Sequence, residues 1–262
     1  MAKICPLYSG SDGNSTLISG VGGAILIDAG VSYKGLCEAL LRAGSSIEEI
    51  SAVAVTHEHS DNIKGLKTLL SKRKIPIIAS EKTLESLAKY NALPENATVI
   101  SANEGTIEVG SLTLSRFATS HDCDGSGGYT VTLPDGTKVG VCTDLGVVTD
   151  EVRNSLSGCK AIVFESNHDL KMLKEGPYPP HLKMRIMSDA GHLSNNASAA
   201  ELPAFLNGGT NRIILAHLSK NNNMPMLALS CARASLLDIG AQNGIDYILT
   251  AAKPCFNEVT LL

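Results

Sequence analysis

Residues Ala52–Asp61 read Ala-Val-Ala-Val-Thr-His-Glu-His-Ser-Asp, so an apolar run passes directly into a group of polar side chains. A short run without polar residues is typical of a strand that other layers cover on both faces. His57 and His59 are two residues apart on extended backbone, so their imidazole rings point to the same side and can reach one ion. Asp61 lies where the next helix is expected to begin. This stretch predicts a covered strand whose end carries metal ligands.

The same pattern follows three further predicted strands. Leu112–Phe117 leads to His121, Lys138–Cys142 leads to Asp144, and Arg212–Ala216 leads to His217. Taken singly, Asp61 could cap a helix and Asp144 could belong to a turn. The histidines could be buried, hydrogen-bonded residues of the core. Four apolar strands that all end in such residues favour a metal site, because strand ends are where ligand sites gather in layered α/β folds.

The rest of the chain alternates between strand-like and helix-like segments. Further strands are predicted at Ser15–Ser19, Ala24–Asp28, Ile75–Ala79, Thr106–Val109, Gly128–Leu133, Ala161–Glu165 and Asp246–Leu249. Helices are predicted near Ser32–Gly44, Ile63–Leu70, Glu81–Tyr90, His168–Leu173, His181–Met187, Ser194–Leu206 and Pro225–Gly240, and a tight turn at Pro134–Thr137. Strands with helices between and outside them indicate helix-covered sheets in one domain of residues 1–262.

Composition places the chain among ordinary globular proteins. Its 262 residues are 44% hydrophobic and 18% charged, so it can bury a core large enough to fold without a structural metal. The seven cysteines form no C-x-x-C pair, which argues against a disulfide framework and a structural zinc site. No signal peptide or membrane span is recognisable, so we expect a cytoplasmic protein that contacts no membrane. The net charge of −4 means that nucleic-acid binding requires a local basic patch.

Four motifs taken in order resemble the motif series of the metallo-β-lactamase superfamily. They are Thr56–Asp61, Ser120–Asp122, Thr143–Asp144 and Ala216–His217. A narrower resemblance, to the YycJ/WalJ group, rests on Ser9–Ser15, Glu165–Asp169, Gly191–Asn195 and His217–Asn222. The resemblance implies an α/β fold, an αββα sandwich of two central mixed sheets flanked by helices. It also implies metal-dependent phosphodiester hydrolysis, of the 5′→3′ exonuclease type on DNA.

The resemblance also implies roles for single residues and one or two divalent ions. His57, His59 and His121 would hold a first metal, Asp61 and His217 a second, and Asp144 would bridge both. Asn62 stands where the family usually has histidine, and Asp12 stands where it usually has a small hydroxyl residue. Because an amide oxygen is a weaker and harder ligand than imidazole, we expect a weaker second site. Zn²⁺ and Mn²⁺ are the expected ions, with Mg²⁺ as a further candidate.

Other residues are candidates for catalysis or substrate binding. His192 is expected to act as a general acid or phosphate donor, or else simply to precede a helix that Ser194 caps. Within the motifs of the resemblance, Asn14, Asn167 and Asn195 are taken as substrate-binding residues. Lys183 and Arg185, with nearby Lys171 and Lys174, could contact phosphates or form a solvated helix face. His168 and His181 are expected at the surface, and Tyr178 is a candidate for stacking on a base.

Three functions remain as alternatives. The first is a nuclease that uses a metal-activated hydroxide, with DNA favoured over RNA as the substrate. The second is a hydrolase of a small phosphodiester or thioester, because one metal core serves many substrates. The third is a non-catalytic, metal-poor binding protein, which Asn62 alone supports. Only the first predicts binding that weakens steeply as salt rises. The sequence does not indicate an oligomeric state.

Overall fold

The structure is a computed structural model that describes residues 2–103 and 105–262, which form two seven-stranded mixed sheets. The strands of the first sheet are β1 (Lys3–Tyr8), β2 (Ser15–Gly20), β3 (Gly23–Ile27), β4 (Ile50–Ala54), β5 (Ile77–Ala79), β6 (Val99–Ser101) and β14 (Thr260–Leu261), in the order β14-β1-β2-β3-β4-β5-β6. Those of the second are β7 (Thr106–Val109), β8 (Leu112–Ala118), β9 (Gly127–Thr132), β10 (Lys138–Cys142), β11 (Ala161–Glu165), β12 (Arg212–Ala216) and β13 (Ile248–Ala251), in the order β13-β12-β11-β10-β9-β8-β7.

Helices follow the sequence signals for helix ends. They are α1 (Tyr33–Arg42), α2 (Ser60–Ile63), α3 (Leu66–Arg73), α4 (Glu81–Lys89), α5 (Asp150–Leu156), α6 (Leu170–Glu175), α7 (Pro180–Ile186), α8 (Asn195–Asn207) and α9 (Pro225–Leu237). The hydroxyl of Ser194 accepts the N–H of Ala197 at 3.1 Å and caps α8, as predicted. Among the described residues, no helix combines the length and the apolar character needed to cross a membrane.

Alternating side chains divide the core into layers. In β4, Ala52 and Ala54 belong to a cluster between the two sheets, whereas Val53 belongs to a second cluster beneath the helices α1, α3 and α4. A third cluster joins the second sheet to α5, α8 and α9. The buried hydroxyl of Tyr129 in β9 donates to the carbonyl of Val55 at 2.7 Å and ties the two sheets together. The predicted αββα sandwich is confirmed.

Several elements differ from the prediction. The strands β1, β6 and β14 and the helix α5 were not predicted, and the helix predicted at Ile63–Leu70 is two helices, α2 and α3. The break falls at Gly65, where a Cβ would overlap the carbonyl of Val31. Pro6 lies within β1, beyond Lys3 and Ile4, the two residues that pair with β14, and beside an irregularity in the pairing with β2. His168 is buried, which corrects the expected surface position, and the N-cap of α6 is Asp169.

Candidate metal centre

The polar strand ends lie together at one edge of the sandwich. The rings of His57, His59 and His121 have centroids 4.6, 5.0 and 5.2 Å apart. His192 continues this row, with its centroid 5.2 Å from that of His121 and 5.1 Å from that of His217. His217, directly after β12, has a φ of 55°, in the left-handed region that non-glycine residues seldom adopt. Such backbone conformations concentrate at functional sites.

Hydrogen bonds from Asp28 through Thr56 to His57 determine which ring nitrogen of His57 has a free lone pair. The Asp28 carboxyl accepts hydrogen bonds from the backbone N–H and the hydroxyl of Thr56, both at 2.8 Å. Burial raises the pKa of Asp28 well above its ordinary value, although these two hydrogen bonds act in the opposite direction. When Asp28 is ionised, the Thr56 hydroxyl gives its proton to that contact, and its oxygen accepts the N–H at Nδ1 of His57 at 3.0 Å. Nε2 of His57 is then the unprotonated nitrogen, and it lies 3.0 Å from Nδ1 of His59.

An anionic side chain stands behind His59. Nε2 of His59 lies 3.2 Å from the sulfur of Cys123 and 3.6 Å from the carboxylate of Asp122. Burial of Asp122 raises its pKa, but the hydrogen bond and charge of Arg185 outweigh this and lower it, so Asp122 is ionised. A carboxylate beside Nε2 favours the proton on that nitrogen. Nδ1 of His59, which faces His57, is therefore the nitrogen with a free lone pair.

His121 completes the first group. Its Nδ1 lies 3.1 Å from the carbonyl of Gly191 and can donate to it, and its buried Nε2 makes no hydrogen bond although it lies 3.3 Å from the carboxylate of Asp122. Burial lowers the pKa of His57 to about 4 and also lowers the pKa of His121, so both rings are neutral, as metal ligands must be. Ligand atoms of His57, His59 and His121 all lie within 4.8 Å of one another. Three nitrogen lone pairs that meet in this way are the donor set of a transition-metal site.

A second group is built around Glu165, a residue that the sequence analysis did not assign to the site. One carboxylate oxygen of Glu165 accepts hydrogen bonds from the N–H at Nδ1 of His217, at 2.7 Å, and from the N–H at Nδ1 of His192, at 3.0 Å. The other oxygen accepts the backbone N–H groups of Leu145 and Leu193. Glu165 is fully buried at the end of β11. The signal that could have found it is a charged residue closing an otherwise apolar strand.

Negative charge is concentrated beside this second group. Asp144 is buried, with one carboxylate oxygen 3.3 Å from Nδ1 of His217, and Asp61 lies 3.8 Å from Nε2 of the same ring. Burial alone would lower the pKa of His217, but Asp144, Asp61 and Glu165 outweigh it and raise it. Burial likewise would raise the pKa of Asp144, but the surrounding histidines lower it. A cation is the natural partner for so many buried carboxylates.

Some buried polar atoms at this site have no hydrogen-bond partner, and their identity shows whether the residues fit metal ions. Four of them belong to predicted ligands: Nε2 of His121, Nε2 of His217, Oδ2 of Asp144 and Oδ1 of Asn62. Each such atom costs about 1–3 kcal/mol when nothing satisfies it. Imidazole and carboxylate donors of this kind suit Zn²⁺ and Mn²⁺. The residues therefore fit one or two divalent ions.

Asn62 lies inside α2 rather than at its start. Its side chain is completely buried, with Nδ2 3.3 Å from Nε2 of His57. The N-cap of α2 is His59, so neither Asn62 nor Asp61 caps this helix. The side-chain amide of Asn14 donates to the Asp61 carboxylate at 3.2 Å. The chain at Asp61 also packs closely against Gly30, where a Cβ would overlap the carbonyl of Asp61. Asn14 thus supports a predicted ligand from behind.

The remaining substrate-binding candidates separate into two sets. Asn167 and Arg185 line an open cleft of about 340 Å³ above the histidines, together with His59, Asp61, His121, Asp144, His192, His217 and Tyr178. Asn195 does not line it, because its side chain is buried in hydrogen bonds with Ser166 and Asn223. Lys183 does not line it either, because its ammonium donates to the carbonyl of Lys174. A larger hollow of about 440 Å³, at the β13 edge, contains none of the predicted ligands.

Known proteins resemble the chain over most of its length. A family model described as "Beta-lactamase superfamily domain" matches residues 24–218. The "Exodeoxyribonuclease YycJ" of Bacillus anthracis is 37% identical over 223 residues, which cover 85% of this chain and 84% of that protein. The "Exodeoxyribonuclease WalJ" of Streptococcus pneumoniae is 33% identical over 255 residues, covering 96% and 94%.

Solved structures agree with this assignment at the level of the fold. The metallo-β-lactamase fold protein YhfI from Bacillus subtilis superposes with a TM-score of 0.73 and 15% identity, covering 99% of both chains. Zn²⁺-bound PqqB from Methylobacterium extorquens gives a TM-score of 0.69 at 15% identity and covers 99% of this chain and 100% of that one. With the family match, the curated relatives and the shared sandwich taken together, the chain belongs to the metallo-β-lactamase superfamily, within its YycJ/WalJ-like group.

Proposed function

We propose that this chain is a metal-dependent exodeoxyribonuclease that hydrolyses phosphodiester bonds from the 5′ end of DNA. The observation that carries the proposal is the meeting of two ligand groups in one open cleft, with buried nitrogen and oxygen atoms that no protein group satisfies. Relatives at 33% and 37% identity named exodeoxyribonucleases support the substrate class. All seven cysteines are free, which agrees with the cytoplasmic location that we expect.

The contacts of these side chains support the ligand assignments that the resemblance implies. His57, His59 and His121 would hold one ion, Asp61 and His217 a second, and Asp144, whose carboxylate lies 3.3 Å from Nδ1 of His217, would serve as a ligand to both. Bound divalent ions would lower the pKa of a water molecule and neutralise charge on the phosphoryl oxygens. We expect Zn²⁺ at the histidine-rich site and Mn²⁺ or Mg²⁺ at the site with more oxygen ligands.

His192 is suited to deliver the proton that the leaving oxygen needs. Glu165 accepts the N–H at Nδ1, so the proton available to a substrate is the one at Nε2 of a protonated ring. Burial of His192 lowers its pKa, but the carboxylates of Glu165 and Asp144 outweigh this and raise it above the ordinary value. The ring lines the cleft and is held in place from behind. Ser194 caps α8, so His192 also precedes a capped helix, and this position is compatible with the proposed acid role.

The test is a turnover screen of purified, metal-loaded protein. Linear DNA labelled at the 5′ or the 3′ end, circular DNA, RNA and a chromogenic phosphodiester would each be incubated with Zn²⁺, Mn²⁺ or Mg²⁺. We expect early release of the 5′ label, no cleavage of circular DNA and slower cleavage of RNA. Binding of DNA should weaken as salt rises. Turnover of the chromogenic diester without any turnover of DNA would replace the proposal with the small-substrate hydrolase.

A further inference from the structure

A second hollow, of about 280 Å³, lies beside the metal cleft. Its wall is mostly apolar and includes Tyr8, Val31, Leu218 and Pro254. Ser11 lines both the hollow and the cleft, so one residue borders both spaces. The hollow is therefore adjacent to the cleft, on the side where a group attached to a phosphate over the metal ligands could lie.

Charge at the rim distinguishes the hollow from the cleft. Lys220 and Asp12 are exposed there and lie 3.8 Å apart, so their charges cancel. The cleft, in contrast, contains Arg185 and the predicted histidine and aspartate ligands, which would suit a phosphate once they hold metal ions. An apolar wall with a neutral rim suits an uncharged, flat group. This division matches the two parts of a nucleotide.

The hollow is also tied directly to the metal centre. The backbone N–H of His217 donates to the hydroxyl of Ser9 at 2.7 Å, and the N–H of Ser9 donates to the carbonyl of Pro254 at 3.3 Å. A wall of the hollow and a predicted metal ligand are therefore held at a fixed separation. A substrate with its phosphate over the ligands would have its attached group placed reproducibly.

We propose that this hollow binds the nucleoside attached to the scissile phosphate, with the base between Tyr8, Val31 and Pro254 and the sugar beside Ser11. This assignment rests on the proposed nuclease function and names the part of the substrate that the metal ligands do not touch. The stacking and burial of one base typically strengthen binding tenfold or more. Phosphodiesters that carry a nucleoside should therefore have a KM about tenfold below that of methyl p-nitrophenyl phosphate.

The first experiment uses Cys255, a half-buried free thiol that lines the hollow. Metal-loaded protein would be alkylated with and without thymidine 5′-monophosphate or 3′-monophosphate, and each cysteine followed by mass spectrometry. We expect the mononucleotide to slow modification of Cys255 and to leave Cys231, half-buried on α9 outside this hollow, unaffected. Equal modification of Cys255 with and without either mononucleotide would overturn the assignment.

The second experiment fills the hollow with a Cys255→Trp variant and uses Cys231→Trp as the matched control. Kinetics would compare thymidine 5′-p-nitrophenyl phosphate with methyl p-nitrophenyl phosphate. The KM advantage of the nucleoside substrate should disappear in the first variant and persist in the control; persistence in both would overturn the assignment. If DNA is degraded but neither effect appears, only the hollow is misassigned. If Cys255 is protected but DNA is not degraded, the nucleoside site stands and the nuclease proposal fails.

Discussion

At the level of single residues, the buried carboxylate of Glu165 receives hydrogen bonds from two imidazole rings and three backbone N–H groups. Burial would raise its pKa, but His192 and His217 lower it to about 2, so it is ionised at neutral pH. Glu165 keeps the Nδ1 atoms of His192 and His217 protonated. When a metal binds, His217 can therefore offer an unprotonated Nε2 as the ligand atom. Glu165 therefore positions a ligand and the proposed acid at once.

We predict that Glu165→Gln weakens the second metal about tenfold or more, because one amide oxygen replaces a carboxylate that serves both rings. The first metal should be retained, since His57, His59 and His121 do not contact Glu165. Titration with Zn²⁺ and Mn²⁺ against competing chelators measures both affinities. Glu201→Gln, which alters a carboxylate paired with Arg153 away from the cleft, is the control. Equal metal binding by wild type and Glu165→Gln would refute the positioning role.

Asn62 is the second informative single residue, because it is buried beside His57 and its Oδ1 has no partner. Asn62→His should raise affinity for a second Zn²⁺ by more than about tenfold, since imidazole is the better ligand for late first-row ions. Bound zinc would be measured at low free Zn²⁺, with Asn62→Ala as the control. If wild type already binds two ions as tightly as the histidine variant, position 62 is not a ligand position. Activity need not rise, because tighter zinc can retain the product.

Among the elements, α7 forms one side of the cleft although it contains no fully buried residue. Leu182, Arg185 and Ile186 lie on one face of this helix by their spacing, and all three line the cleft. Arg185 is held against Asp122 by its Nε at 2.7 Å. Lys183 points away and bonds to the carbonyl of Lys174. The two cations that the sequence grouped together therefore belong to different surfaces.

We predict that Arg185→Ala lowers affinity for DNA about tenfold. The slope of the logarithm of the binding constant against the logarithm of the salt concentration should fall by the equivalent of about one phosphate contact. Lys183→Ala should change neither quantity, because that ammonium does not reach the cleft. Fluorescence anisotropy of labelled DNA at several salt concentrations, with metal content checked in parallel, gives both values. Equal losses in the two variants would mean that α7 contributes only diffuse charge.

At the scale of the whole molecule, three hydrophobic clusters fill the space between and outside the sheets. The candidate ligands lie on loops at one edge of this core, so we expect the fold to survive without metal. Protein treated with a chelator, and the His57→Ala variant, should keep the wild-type far-UV circular dichroism and unfold cooperatively while losing hydrolysis. Loss of an ion present at 100 times its Kd removes about 2.7 kcal/mol of stability, which lowers Tm without abolishing folding. Global unfolding at room temperature would show that the metal is structural.

Much of this architecture could be predicted because it depends on hydrophobic alternation and on the spacing of residues that are close in the sequence. The alternation in β4 follows from a strand covered on both faces, and His57 and His59 share a side because they are two residues apart. The Ser194 cap was equally predictable, because a cap joins atoms only three residues apart. The short strands β6 and β14 were missed because so few residues carry no readable period.

By itself, the sequence determined the layered class of the fold and the chemical types of the site, because hydrophobic period and residue identity are local properties. Only the tertiary structure decided that Glu165 serves the site, because its role depends on β11 lying between β10 and β12 in the sheet. It also decided that Asn195 and Lys183 lie outside the cleft while Arg185 lines it. Where a side chain points depends on what the rest of the chain packs around it, and no short segment contains that information.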